Sequence, residues 1–154
     1  MTPAVPPPPA SRRTYVHRHH VPFEETNLAG NVYFAHYVRW QGHCRERFLA
    51  EHAPGTLTAL GHGLALVTVA CDMEYLRECR AFDAVDVHMS LRRIAGHRVV
   101  MAFAYERVAP GPAELVARGH QTVACMRRTG DGDRMEPAAV PEELLAALKP
   151  FHSA

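Results

Sequence analysis

VPFEETNLAGNVYFAHYVRWQGHCRER, residues 21–47, decides how the rest of this chain is read. Its opening is turn-forming, with Asn27 and Gly30 ahead of Val32, residue types suited to tight loop backbone. From Tyr33 the spacing becomes helical. At about 100° per residue, Phe34, Tyr37, Val38, Gln41, Phe48 and Leu49 share one face, while His36, Arg39, His43, Glu46 and Arg47 lie on the other. The spacing predicts a helix over roughly Tyr33 to His52, ended by Pro54-Gly55.

Arg45 breaks this division, because it projects within the apolar stripe, near Gln41. A guanidinium cannot shed its proton, and burying one unpaired costs several kcal/mol. Two readings follow. Either Arg45 snorkels outward or pairs with Glu24, Glu25 or a carboxylate of a neighbouring subunit, or it aims a fixed positive fork into a substrate cavity. The loop before the helix has two readings as well. Asn27 and Gly30 serve only the turn, or the turn leaves the helix N-terminal N–H groups open to a developing oxyanion.

Working outward, Thr14 to Phe23 reads as a strand with Tyr15, His17 and His19 on one face. Beyond the helix the period changes. Residues 63–76 (GLALVTVACDMEYL) are mostly apolar and rich in β-formers. In residues 84–94, Val85, Val87, Met89 and Leu91 share a side, and in residues 97–108 Val99, Met101, Phe103 and Tyr105 alternate with smaller Val100, Ala102 and Ala104. Residues 114–128 form a last long strand, and Pro141 sits in the first turn of a short capping helix, PEELLAALK. The gaps at Arg80, Ala95-Gly96 and Pro110-Gly111-Pro112 are hairpin-sized. This order predicts an α+β domain: an antiparallel five-stranded sheet wrapped around one long central helix.

At 154 residues the chain suits one domain. Residues 1–11, with Pro3 and Pro6 to Pro9, read as a disordered leader, leaving 12–154 as the folded unit. A net charge of +1 gives no pull towards nucleic acid or an anionic membrane. No apolar run approaches the ~20 residues of a membrane span, and the leader lacks the layout of a secretory signal. Cys44, Cys71, Cys79 and Cys125 show neither C-x-x-C nor zinc spacing and read as buried free thiols in a reducing cytoplasm. The HRHH run at 17–20 reads as a surface or edge-strand cluster, without a carboxylate or thiol spaced to complete a metal site.

The opening stretch resembles the first motif of the 4-hydroxybenzoyl-CoA thioesterase family of hotdog proteins, approximately aromatic-x-D-x-D-x-x-G-x-V-Y/W-(H/F)-x-x-Y-x-R-(W/F). Phe23, Glu25, Thr26, Gly30, Val32, Tyr33, Phe34, Tyr37, Arg39 and Trp40 match it. The element order fits the hotdog fold over about residues 13–135. Two departures stand out. The family's catalytic aspartate falls on Asn27, and a glutamate carried by many relatives falls on Gly42. Asn27 has no ionised carboxylate, so it neither forms an acyl anhydride nor acts as a strong base. ETN-x-x-GNVYF followed by WQGHCRE resembles a narrower group, the thioesterases of iterative enediyne polyketide synthases. That group carries an asparagine in place of the acid and an arginine on the same helix, matching Asn27 and Arg45.

The resemblance implies a thioesterase that takes a linear polyene or β-keto acyl chain from the phosphopantetheine arm of an acyl carrier protein. It also implies a homo-oligomer, dimer or tetramer, with sites between subunits and no cofactor or metal. A housekeeping acyl-CoA thioesterase and a noncatalytic acyl-binding module remain the alternatives. In the site it implies, the thioester carbonyl lies near the backbone N–H of Phe34, and Asn27 and Arg45 hold the acyl group and the attacking water. Tyr33 either orients the hydrogen bonds or packs in the subunit contact. Gly30, Val32, Gln41, Leu66, Thr68 and Met73 are the substrate-binding candidates, with Thr68 read equally as a locally bonded strand residue. Phe34, Trp40, Leu66, Met73, Met89, Met101 and Phe103 line an acyl tunnel or simply fill the core.

Overall fold

Two strand segments with strict alternation make the floor of the molecule, and the long helix lies across it. The computed structural model describes residues 13–132 and 134–153, so the Pro-rich leader lies outside the described residues. The elements run β1 (Tyr15–His20), α1 (Ala35–His52), α2 (Pro54–Ala59), β2 (Leu64–Tyr75), β3 (Ala84–Ala95), β4 (Arg98–Ala109), β5 (Glu114–Arg128), β6 (Met135–Pro137) and α3 (Glu142–Leu148). All strand pairings are antiparallel. The sheet order is β1-β3-β4-β5-β2, with β6 attached to β5.

Val85, Val87, Met89 and Leu91 on β3, and Val99, Met101, Phe103 and Tyr105 on β4, are buried towards the helix as their alternation requires. Three expectations need correction. The sheet has six strands rather than five, because Met135–Pro137 pairs with the end of β5. The gap at Arg80 is a crossover, not a hairpin: β2 pairs with β5 at the far edge, and β3 pairs with β1 and β4. Pro54-Gly55 ends α1 but also opens α2, since proline is well placed in the first helical turn.

Helix α1 begins at Ala35, two residues later than the spacing predicts, and stops at Ala53, whose φ of −141° leaves the helical region. Its buried face is turned from the expected one. Tyr37, Trp40, Gln41, Cys44, Phe48 and Leu49 are buried, whereas Phe34 is 58% exposed and Val38 is half-buried. The sheet curls around the Trp40 side, and the Phe34–Val38–Arg45 line is left facing the β2 edge. Two polar groups inside this core are matched: the Tyr105 hydroxyl donates to the Tyr37 carbonyl at 2.7 Å, and Trp40 Nε1 donates to Glu25 at 3.0 Å.

Cys44, Cys79 and Cys125 are buried free thiols, but Cys71 is exposed, because β2 is an edge strand with no neighbour covering it. The edge position of β1 fits the reading of the HRHH run, although His17 and His19 turn inward and are half-buried. Among the described residues no helix is long and apolar enough to cross a membrane.

Candidate active site

The loop ahead of α1 is built by its own hydrogen bonds. The Asn27 side-chain oxygen accepts the Ala29 N–H at 3.0 Å, Gly30 N–H donates to the Asn27 carbonyl at 2.9 Å, and Asn27 N–H donates to the Asn31 carbonyl at 2.9 Å. Gly30 supplies a φ of 84°, which side-chain-bearing residues rarely adopt. The loop is anchored to the crossover where Val32 N–H donates to the Cys79 carbonyl at 2.8 Å. Asn27 itself is exposed. Its amide oxygen is spent on the loop, and its NH₂ group has no partner among the described residues.

Tyr33 N–H donates to the Glu25 carbonyl, and the next two amides open the helix. Among the described residues neither Phe34 N–H nor Ala35 N–H meets an acceptor, the ordinary condition of a helix start. The Phe34 carbonyl is held by the Tyr75 hydroxyl at 3.0 Å. Two cavities meet at this Phe34–Tyr75 contact. One, of about 530 Å³, is lined by Phe34, Ala35, Val38, Cys71, Asp72, Met73 and Tyr75. The other, of about 230 Å³, includes Asn31, Val32, Phe34, Tyr75 and Arg77. The helix start therefore stands between an apolar chamber and a more polar one. Tyr33 is 48% exposed, its ring against Phe34 at 4.6 Å between centroids.

Arg45 turns towards β2 and β5. Its Nη1 donates to Gln121 Oε1 at 2.9 Å and to Thr68 Oγ1 at 3.2 Å. Loss of solvent pulls its pKa below the ordinary arginine value. Both partners are neutral. The alternative pairing with Glu24 or Glu25 does not form among the described residues; Glu25 is taken by His19 Nε2 at 2.5 Å and Trp40 Nε1 at 3.0 Å. Behind Arg45 lies a void of only about 10 Å³ lined by Leu66, Met101, Val123, Leu144 and Leu148 among others. Gln41 is fully buried; it donates to Met73 Sδ at 3.0 Å and accepts from Gln121 Nε2 at 3.5 Å.

The structure brings some of the candidate residues together and keeps others apart. Thr68 and Gln41 join the Arg45 cluster, while Val32, Phe34 and Met73 border the two cavities. Trp40, Met89 and Phe103 are buried in the core, and Leu66 and Met101 border the small void. Gly30 shapes the loop without lining either cavity. His36, expected on the outer side, sits 3.8 Å from Glu25. Asn27 and Arg45 do not meet within one chain. Arg45 stands 11 residues beyond Phe34, about 16 Å along the axis at the helical rise, farther than an arginine side chain spans.

Sequence reasoning missed Gln121 and Tyr75. A signal for Gln121 existed: it interrupts the inward series Ala117, Gly119, Val123 on β5 with a polar group. A Cβ placed on Gly42 would meet nothing within 4 Å, so the helix surface between Val38 and Arg45 is bare. Away from this region Asp86, His88 and Glu106 bring ligand atoms within 4.8 Å of one another, yet Asp86 is engaged by Arg18 at 2.7 and 3.0 Å.

An antiparallel sheet curled round one long helix is the hotdog architecture. The thioesterase-like superfamily model matches residues 21–148, and the chain belongs to that family. It is similar to the acyl-CoA thioester hydrolase YbgC of Escherichia coli O157:H7, 24% identical over 127 residues, covering 82% of this chain and 90% of that one. Among solved structures it is similar to the dynemicin thioesterase, for which induced-fit and allosteric effects upon polyene binding are described. That match has a TM-score of 0.88 and 60% identity, covering 92% of this chain and 99% of the other. The 4-hydroxybenzoyl CoA thioesterase from Pseudomonas sp. strain CBS-3 shares the fold, with a TM-score of 0.75 and 18% identity over 88% of this chain and 99% of that one. The chain is a thioester hydrolase.

Proposed function

We propose that this enzyme releases a long polyene or β-keto acyl chain from the phosphopantetheine arm of an acyl carrier protein domain, within an iterative enediyne polyketide synthase system. The observation that carries this reading is a half-buried Arg45 guanidinium whose two hydrogen-bond partners among the described residues are neutral, in a chain where Asn27 stands at the position of the family's acid. Similarity to the dynemicin thioesterase at 60% identity supports the substrate class. The three buried thiols are consistent with work in the cytoplasm.

The site is completed by a second copy of the chain. β2 offers an unpaired edge of 12 residues, with Thr68 to Asp72 exposed along it. Two such edges meeting about a two-fold axis run antiparallel, which sets the two α1 helices antiparallel as well. The start of one α1 then lies beside the Arg45 region of the other. That arrangement removes the separation of about 16 Å set by the helical rise within one chain.

The chemistry follows from these groups. The thioester oxygen accepts from Phe34 N–H, the acyl chain occupies the chamber lined by Val38 and Met73, and the partner's Arg45 faces the developing negative charge. Asn27, through its free NH₂, orients the carbonyl or the attacking water. Water adds to the carbonyl carbon, the C–S bond breaks, and the products are the carboxylic acid and the pantetheine thiol. Preorganised donors of this kind each contribute about 10²–10³-fold in rate. Hydrolysis of matched long-chain acyl thioesters of carrier protein and of coenzyme A, at equal concentration, tests the assignment. A higher kcat/KM on the carrier protein is expected; a preference for coenzyme A would instead favour the acyl-CoA reading suggested by YbgC.

A further inference from the structure

The Arg45 guanidinium is held by a buried pair of amides, Gln121 and Gln41. Gln121 is 4% exposed and Gln41 is fully buried. Gln121 projects from β5 between paired neighbours on both sides, Met101 of β4 and Cys71 of β2, so its backbone is held by two ladders. Its Oε1 accepts from Arg45 Nη1 at 2.9 Å, and its Nε2 donates to Gln41 Oε1 at 3.5 Å. Gln41 lies one helical turn before Arg45 and is itself fastened through Nε2 to Met73 Sδ at 3.0 Å. Burying two amides where apolar side chains would pack is tolerated only because each is hydrogen-bonded.

We propose that Gln121 is a positioning residue: it aims Arg45 at the thioester while leaving the positive charge intact. The proposal rests on the catalytic reading of Arg45 given above. An amide oxygen accepts one guanidinium N–H and brings no charge. A carboxylate at the same place would grip Arg45 more firmly and cancel the field that an oxyanion needs. Thr68 Oγ1 repeats this choice on the other side, again a neutral acceptor. Nη1 is committed to these two oxygens, and among the described residues the other guanidinium donors meet no hydrogen-bond acceptor. The inversion is distinctive, because the substitution that strengthens the contact is the one that abolishes its use.

The test uses the purified full-length chain, lauroyl-CoA as probe and thiol release as readout, with Gln121→Glu, Gln121→Met and Arg45→Ala separately and combined. Gln121→Glu, nearly isosteric, is expected to keep the melting temperature within a few degrees of the parent, the firmer contact with Arg45 offsetting the lost donor to Gln41, while kcat falls on the order of 10²-fold, the scale of one lost oxyanion donor. Gln121→Met, which removes the acceptor, is expected to lower kcat by about 10-fold or more through misplacement with KM changed less. In the Arg45→Ala background neither substitution should reduce kcat further, since residues acting as one unit are not additive. If Arg45→Ala is inactive while Gln121→Glu keeps the parent kcat, the positioning role is overturned alone. Multiplicative losses overturn it too. If Arg45→Ala itself retains the parent kcat, the catalytic reading of Arg45 falls and this role with it.

Discussion

Replacing Arg45 by methionine separates catalysis from stability. The side chain gives up two hydrogen bonds, to Gln121 at 2.9 Å and to Thr68 at 3.2 Å, worth about 1 kcal/mol each and more where charge assists. Gln121 Oε1 then loses its donor inside the protein. Against this, a desolvated charge with no carboxylate hydrogen-bonded to it among the described residues is removed, and methionine fills the space beside Leu66, Val123 and Leu144. These contributions have opposite sign and similar size, so the net change should stay within about 1–2 kcal/mol. For a chain of this size that is a shift of a few degrees in Tm, at about 2–4 °C per kcal/mol. Activity behaves differently. Loss of the cationic donor is expected to lower kcat by about 10²–10³-fold. Differential scanning calorimetry and steady-state hydrolysis of an acyl thioester read the two effects on one preparation. A Tm fall of more than ten degrees (on the order of 3–5 kcal/mol by the same conversion) would make Arg45 a structural residue, and an unchanged kcat would remove it from the mechanism.

The cysteines should divide cleanly. Burial pushes the Cys44 thiol up to about 12 and raises Cys79 and Cys125 as well, so these three thiols should stay unreactive in the native protein and all four should titrate in denaturant. Four fast thiols without denaturant would contradict the packing of α1 and β5. Asp86 should carry a pH-dependent share of stability, because the Arg18 hydrogen bonds hold its carboxyl below the ordinary aspartate value. That contribution is complete above the unfolded pKa of about 3.9 and is lost as pH falls through the lower folded value. Asp86→Asn should therefore destabilise the protein at pH 7 and matter progressively less below about pH 4; a difference in unfolding midpoint that is flat from pH 7 to 3 would show the pair to be inert.

Much of this fold is legible in the chain because it rests on local periodicity. Val85 to Leu91 and Val99 to Tyr105 announce their buried face by alternation alone. The conflict of Arg45 with its helical neighbours is visible for the same reason. Sheet order is not local. The apolar run of β2 reads as a strand, but nothing in it tells that β5, rather than β3, lies beside it. Helical spacing likewise gives the relative angles of Phe34, Trp40 and Arg45, yet the sheet's curl decides which arc is covered, and here it covers Trp40 and leaves Phe34 exposed. The partners of Arg45 come from strands 23 and 76 residues away, a pairing that exists only after the sheet has closed. The tie from Glu25 to His19 and Trp40 is similarly a product of packing β1 against α1.

Mixed dimers offer the most direct test of a carboxylate-free site assembled from Asn27 of one subunit and Arg45 of the other. Asn27→Ala and Arg45→Ala chains, each nearly inactive alone, are co-expressed with different affinity tags and the heterodimer isolated. Every such dimer contains one site with both substitutions and one with neither, so acyl thioester hydrolysis should return to about half of the parent rate per dimer, as the symmetry of a two-fold pair requires. Activity that stays at the level of the two single variants would place both residues in the same subunit's site, or neither in any, and would contradict the account.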